Sequence, residues 1–270
     1  MHMCMTHVGL DAAWRNTIES TLPWAVTPNY ANIIGFQLMM MMPDLLHVFN
    51  LGVAKHMLAS SLKVVLSEQV VFQASNLVDR MSLATASLKQ FALRRGLPLR
   101  IKKITKSRLK WKNRKYPELG ASGYDAYVVG SWLESVLEPF SQRYPDIVSL
   151  LWVSNRTVSL MYSAGWFLTP GEKQTLETLG GLFNHLYMKL ASQAVNQHKL
   201  LFRVIPKFHL FCHITSSRRD VNPSKYSTWM DEDFLKKIGK CLGLTSLRTA
   251  QKRLLERWLM SIPLNLQRDA

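Results

Sequence analysis

Cysteine, glycine, proline and acidic residues are all scarce in this chain of 270 residues. The three cysteines, Cys4, Cys212 and Cys241, are odd in number and far apart, which excludes a disulfide framework and favours a reducing compartment. The 13 glycines and 11 prolines are too few for a fibrous or low-complexity protein. Because 47% of the residues are hydrophobic, the composition also excludes a chain that is disordered over most of its length.

No uninterrupted apolar run is long enough to span a membrane, which needs about 20 apolar residues. The most apolar stretch, residues 33–42, runs into Pro43 and Asp44, and Asn155 and Arg156 interrupt the next most apolar stretch. The first residues also lack a basic region followed by an apolar one, so no signal peptide is predicted. The sequence therefore predicts neither a membrane partner nor a secreted protein.

Acidic residues are outnumbered by basic ones, 18 against 34, which gives a net charge of +16. Residues 94–115 contain 11 of the lysines and arginines and no acid, so most of the excess belongs to one segment. Concentrated positive charge suits a polyanion, and nucleic acid is the most common one. Nine bases of this segment are the candidate nucleic-acid-binding residues: Arg100, Lys102, Lys103, Lys106, Arg108, Lys110, Lys112, Arg114 and Lys115.

The context of the basic segment indicates its structure and allows more than one function. It lies between helical patterns and contains Pro98, which predicts a linker or a long surface loop. Its bases alternate with Leu99, Ile101 and Trp111, a mixture that suits contact with a phosphate backbone and with bases. Basic clusters also serve as nuclear import signals. We therefore expect a nuclear protein, cytoplasmic before import, and the segment is expected to contact DNA, to serve as an import signal alone or to be only a solvated loop.

The spacing of apolar residues predicts a mainly α-helical fold. Helices are predicted over residues 56–74, 76–93, 124–137 and 147–166, the last of them apolar nearly all round and therefore buried. Thr169 and Glu172 form a capping box that predicts a further helix, and Thr245 predicts the start of a last one. Only residues 33–42 and 199–205 are strand candidates, so any sheet is expected to be small.

These patterns divide the chain into five parts. We predict an irregular segment at residues 1–32, a first helical region at 33–93 and the basic linker or loop at 94–123. A second helical domain at 124–262 and a tail at 263–270 follow.

Several residues could carry chemistry, although each has a structural explanation as well. His209 and His213 are four residues apart and could hold zinc, but histidines on one helical face more often form hydrogen bonds in a core. Asp44 precedes His47 by three residues, and Glu232 lies within an acidic triplet. Carboxylates from distant parts of a chain are what a two-metal phosphoryl-transfer site requires. Alternatively, Asp44 caps the start of a helix, and the acidic triplet, Asp231 to Asp233, forms the first turn of a helix, where the helix dipole favours negative charge.

Three segments resemble, in the same order, the motifs of one protein family. Residues 43–56, PDLLHVFNLGVAKH, are similar to its DLLH signature, and residues 206–213, PKFHLFCH, are similar to its PKxHxxxH segment. Residues 226–234, YSTWMDEDF, resemble the segment that carries the glutamate of its DDE site. The family is that of cut-and-paste DNA transposases of the CACTA and Plavaka type, and the resemblance, to their C-terminal half, spans about residues 33–260.

The resemblance implies an RNase H-like α/β core with a large helical insertion, so the expected fold is a helical body with a small remnant of that sheet. Such cores bind two divalent cations, Mg²⁺ or Mn²⁺, through acidic residues and cut and rejoin DNA. Glu232 would be the third acid of the DDE triad. Asp44 and His47 would form the sequence motif that lies near the second acid of that triad. Asp44 and Glu232 are therefore the candidate metal ligands, and all three residues are the candidate catalytic ones.

The resemblance also departs from the family at one point. The first acid of the triad should lie on an early strand, but the acids before Asp44 are Asp11 and Glu19, and neither stands in a strand-like run. We therefore expect a transposase-derived DNA-binding protein that is a truncated and inactive fragment. The alternatives are an active enzyme, alone or completed by a second copy or a full-length transposase, and a helical interaction protein with an import signal.

Overall fold

The computed structural model describes residues 42–216 and 220–229. It also describes isolated positions before and after these ranges: 33, 34, 235, 238, 239, 249, 252, 253, 255 and 256. The chain divides into two compact units, Met1–Ser227 and Thr228–Ala270. The first unit contains the helices discussed below. In the second, the described positions include Arg253 and Glu256, which form an ion pair at 3.3 Å.

The described part of the first unit is mainly helical, which confirms the main element of the predicted fold. A π-helical segment, Leu46–Val53, leads directly into the first α-helix. The α-helices are α1 (Ala54–Ser67), α2 (Leu77–Arg94), α3 (Gly123–Leu137), α4 (Pro145–Ser163), α5 (Pro170–Asn196) and α6 (Pro206–Thr215). Short 3₁₀ turns, Glu138–Phe140 and Pro223–Tyr226, follow α3 and α6.

Local caps fix the start of three helices where the sequence predicts them. Asn76 accepts the amide hydrogen of Asp79 at the start of α2, and Ser122 accepts that of Asp125 at the start of α3. Thr169 and Glu172 form the predicted capping box of α5, with Pro170 as the first helical residue. These side chains satisfy amide groups that have no partner within the helix. Each cap joins residues only three positions apart, so it depends on the local sequence alone.

The helix predicted over residues 56–74 ends earlier than its apolar spacing suggests. α1 stops at Ser67, and Glu68 is extended. The buried side chain of Arg80 explains this end, because its Nε donates to the carbonyl of Leu66 at 2.8 Å and its Nη1 to that of Ala74 at 3.0 Å. A guanidinium from α2 thus satisfies a carbonyl that the helix leaves without a partner.

The predicted sheet has no counterpart in the part of the chain that the structure describes, apart from one isolated bridge between Phe167 and Val221. Residues 199–205 do not form the predicted strand. Phe202 has a φ of 50° and donates its amide hydrogen to the hydroxyl of Ser60 at 2.8 Å, so this backbone serves a tertiary contact. Most of the other strand candidate, residues 33–42, and the helix predicted from Thr245 lie largely outside the described residues.

The core lies between the π-helical segment and the six α-helices, and α2 contributes the fully buried Ala84 and Leu88 to it. Helix α4 was expected to be buried on all sides, yet Trp152 and Tyr162 are exposed on it. Aromatic side chains join α5 and α6: the ring centres of Tyr187 and Phe208 are 4.8 Å apart. Among the described helices, none combines the length and the apolar character of a membrane span.

Candidate nucleic-acid interface

The basic segment forms a long non-helical loop, residues 95–122, between α2 and α3; we call it the basic loop. Its apolar residues Ile101, Ile104, Leu109 and Leu119 are buried in the core of the first unit. Ten of the 11 bases of residues 94–115 are exposed, and only Arg108 is half-buried. Because the buried residues are spaced among the bases, packing of the loop turns its charges toward the surface.

Hydrogen bonds fix the basic loop to three helices. The amide of Ile104 donates to the hydroxyl of Thr85 on α2 at 2.9 Å, and that of Arg100 donates to the buried carboxylate of Asp125 on α3 at 2.9 Å. At the end of the loop, the buried His56 of α1 donates from Nδ1 to the carbonyl of Pro117 at 3.1 Å. Burial lowers the pKa of His56, and this hydrogen bond offsets only part of that effect. The loop is therefore part of the folded body and not a free linker.

Two of the nine candidate bases make contacts within the basic loop. Arg108 donates from Nη1 to the carbonyl of Gly120 at 2.6 Å and from Nε to that of Lys103 at 3.1 Å, which ties the two arms of the loop together. Lys110 forms an ion pair with Glu118 at 2.8 Å. Partial burial would raise the pKa of Glu118, but the hydrogen bond and charge of Lys110 outweigh it and lower that pKa.

The other seven candidates are exposed, and none of them forms an ion pair with a described residue. We call them the loop face: Arg100, Lys102, Lys103, Lys106, Lys112, Arg114 and Lys115. Long basic side chains with unsatisfied donors at a surface suit contact with phosphate oxygens, which take half to two-thirds of the hydrogen bonds in protein–DNA complexes. The loop face is thus the described feature whose chemistry best suits a polyanion.

The candidate catalytic pair, Asp44 and His47, lies just before and within the π-helical segment. Nδ1 of His47 donates to Oδ2 of Asp44 at 2.5 Å, and the amides of Leu46 and His47 donate to the same carboxylate, as they do to a helix-capping side chain. The hydroxyl of Ser227 donates to Oδ1 of Asp44 at 3.1 Å. These hydrogen bonds fix the carboxylate of Asp44 at the start of the π-helical segment.

The first two segments that carry the transposase resemblance come together within the first unit with Ser227, near the start of the third. The rings of Phe49 and Phe211 stack with their centres 4.5 Å apart, which packs the PKFHLFCH helix, α6, on the π-helical segment. Gly52 permits the close approach, because a Cβ there would lie 2.8 Å from Cδ of Lys207. Ser227, which contacts Asp44, belongs to the third segment. A π-helical segment and a contact across 183 residues leave no local signal in the sequence.

The histidines of α6 also lie together. Nε2 of His209 and Nε2 of His213 are 2.8 Å apart, so one ring donates a hydrogen bond to the other. Burial raises the pKa of the neighbouring Cys212 thiol to about 11, which keeps it protonated and unreactive near neutral pH. Within the residues that the structure describes, no three His, Cys, Asp or Glu side chains meet as a metal site.

The divalent-metal site expected from the resemblance stays a prediction, since Asp44 is the one of its two candidate ligands that lies among the described residues. Glu232, the other candidate ligand and catalytic acid, lies outside the described residues, as do Asp231 and Asp233. The roles of Asp44, His47 and Glu232 in catalysis remain predictions from the resemblance.

No protein-family model, curated protein or solved structure matches this chain. Among the described residues, the loop face brings seven exposed bases together on one loop.

Proposed function

We propose that the protein binds nucleic acid, with DNA as the expected partner, through the loop face. The observation that carries the proposal is the arrangement of the basic loop, in which buried Ile101, Ile104 and Leu109 turn unpaired bases outward. A loop that is already folded loses little conformational entropy when it binds, because its backbone is ordered beforehand.

The chemistry of the loop face predicts binding with little dependence on sequence. Lysine presents a mobile point charge, which suits phosphates, whereas discrimination between base pairs comes from side chains that reach the base edges in a groove. The loop face belongs to an irregular loop and not to a helix that could enter the major groove. The affinity should therefore fall steeply with salt.

A matched pair of variants tests the proposal. The first replaces three bases of the loop face, Lys102→Gln, Lys103→Gln and Lys106→Gln. The control removes the same charge elsewhere, at exposed bases outside the loop: Lys89→Gln, Arg156→Gln and Lys189→Gln. Affinity for a labelled duplex is measured by fluorescence anisotropy over a series of salt concentrations.

We expect the loop variant to bind the duplex more weakly and its salt slope to be smaller by about 2.7, since each phosphate contact contributes about 0.9. The control should change both quantities much less, although it carries the same net charge. Equal effects in both variants, or no duplex binding by the wild type at physiological salt, would contradict the proposal.

A second candidate function is metal-dependent DNA strand transfer, as the transposase resemblance implies. The contact between Asp44 and Ser227 favours it, because two of the resembling segments meet there. Nicking of supercoiled DNA that requires Mg²⁺ or Mn²⁺ and disappears in Glu232→Gln would support an enzyme, acting alone or with a full-length partner. Without such nicking, the proposal is a transposase-derived binding protein that lacks catalysis.

The interpretation of the basic loop as an import signal is tested by the same loop variant. Nuclear accumulation that depends on Lys102, Lys103 and Lys106, in a protein without duplex affinity, would favour a helical interaction protein. Nuclear localisation together with duplex affinity agrees with the proposed function.

A further inference from the structure

A basic groove lies between the end of α1, the tip of the basic loop and the turn that follows α5. Its volume is about 540 Å³. Five cationic side chains line it: Lys63, Lys112, Arg114, Lys115 and Lys199. Lys63 and Lys199 lie outside the basic segment, and only the tertiary structure brings them to it.

The one acid that lines the groove does not cancel this charge. Oε2 of Glu68 accepts hydrogen bonds from Nη2 of Arg143 at 3.0 Å and from the hydroxyl of Tyr144 at 2.9 Å. Burial and the hydrogen bond to Glu68 raise the pKa of Tyr144 to about 12, so it remains a neutral donor. The positive charge of Arg143 therefore neutralises the carboxylate of Glu68, and the groove keeps an excess of positive charge.

Lys63 is the most constrained cation of the groove. Its ammonium lies 5.5 Å from the ring centre of Trp111, a position that suits a cation–π contact, and it is half-buried. Burial lowers its pKa, and no described carboxylate forms an ion pair with it. An anion that entered the groove would supply the missing partner of this partly desolvated charge.

The backbone on two walls of the groove adopts an uncommon conformation. Arg114, at the tip of the basic loop, has a φ of 59°, and His198, after α5, has a φ of 54°. Residues with side chains rarely occupy this left-handed region, and such strain persists only where the surrounding structure maintains it. The packing of the fold thus holds both walls in place around the cations.

We infer that this groove binds the phosphate backbone of a single strand of nucleic acid. The inference rests on the proposed function and specifies which form of nucleic acid the groove takes. A volume of about 540 Å³ is within the range of sites for small molecules, about 300–1,000 Å³, and admits the phosphates and sugars of a short stretch of one strand. A duplex cannot enter such a recess, because its two strands are wound around stacked base pairs. Positively charged grooves that follow the backbone are a common feature of proteins that bind single strands.

The test compares two variants of the full chain that have lost the same charge. The groove variant carries Lys112→Gln, Lys115→Gln and Lys199→Gln, which are exposed positions, and leaves the half-buried Lys63 in place. The loop variant carries Lys102→Gln, Lys103→Gln and Lys106→Gln, which do not line the groove. Binding of a labelled oligothymidylate and of a hairpin duplex is measured by fluorescence anisotropy against salt. Circular dichroism checks that each variant is folded.

We expect the groove variant to lose tenfold or more of its affinity for oligothymidylate. Its affinity for the hairpin should also fall, because Lys112 and Lys115 belong to the loop face, but by a smaller factor, because Lys199 does not and the groove does not admit a duplex. Its salt slope for the single strand should fall by about 2, since each contact to a single strand contributes about 0.7. Unchanged binding of oligothymidylate, or equal losses for the two probes, would overturn the inference. If the loop variant still shows the expected loss of duplex affinity, the proposed function survives that result; if the wild type binds neither probe, both fail.

Discussion

Two adjacent glycines of α5 should respond to the same substitution in opposite directions. A Cβ on buried Gly180 would overlap Cβ and Oγ1 of Thr215 at the end of α6, whereas a Cβ on exposed Gly181 has no neighbour within 4 Å. The overlap involves atoms next to the backbone of α6, so a rotamer change cannot remove it. Gly180→Ala must therefore displace the helix that carries the PKFHLFCH segment, while Gly181→Ala only replaces a poor helix former.

The expected magnitudes follow from these environments. Gly181→Ala should stabilise the protein by about 1 kcal/mol, the difference in helix propensity between the two residues. Gly180→Ala gains the same propensity, but overpacking costs about 1–3 kcal/mol and occasionally more. Because the overlap at Thr215 is severe, we expect an overpacking cost of about 3 kcal/mol, at the upper end of that range, and therefore a net loss of about 2 kcal/mol. The two variants should thus differ by about 3 kcal/mol in free energy of unfolding.

Urea unfolding followed by tryptophan fluorescence measures this difference. A double-mutant cycle with Thr215→Gly provides the control, because removal of that side chain should restore much of the stability that Gly180→Ala loses. Equal stability of Gly180→Ala and Gly181→Ala, or no coupling to Thr215, would show that α5 and α6 do not pack as described.

Two further predictions concern the basic loop. Arg108→Met removes the hydrogen bonds to Gly120 and Lys103, so it should destabilise the protein by about 1–2 kcal/mol. The salt slope of duplex binding should change by less than about 0.9, the contribution of one phosphate contact. A salt slope that falls by about 0.9 with unchanged stability would show that Arg108 contacts the DNA instead. Because burial lowers the pKa of His56 in the folded state below its ordinary value of 6.5, the unfolded chain takes up the proton more readily, and stability should fall as the pH is lowered below 6.5. Urea unfolding at about pH 7 and pH 5 should show a smaller fall in His56→Asn than in the wild type, and an equal fall would refute this assignment.

The sequence predicts the helices well where each depends on its own residues. The start of α2 after Asn76, the capping box of Thr169 and the end of α3 at Leu137 lie where the pattern places them. Residues 199–205 are different: their apolar run is typical of a strand, but a hydrogen bond to Ser60, 142 residues earlier, holds Phe202 in another conformation. The end of α1 is also not predicted by its own residues, because Arg80 of the next helix determines it.

The candidate interface, too, is predicted only in part by the sequence. The sequence locates the excess of bases, but it assigns all nine an equal role. Only the structure separates Arg108, which holds the loop together, from the exposed Lys102 and Lys103. It also adds Lys63 and Lys199, which no local pattern marks as part of a basic site.

By itself, the sequence determined the helical character of the chain, the caps of its helices and the concentration of positive charge in one segment. These properties depend on composition and on residues three or four positions apart, which interact whatever the rest of the chain does. The tertiary structure alone decided which bases are exposed, which cations share a groove and that Asp44 meets Ser227. Such contacts join residues far apart in the chain, and they form only when the burial of the apolar core brings distant helices and loops together.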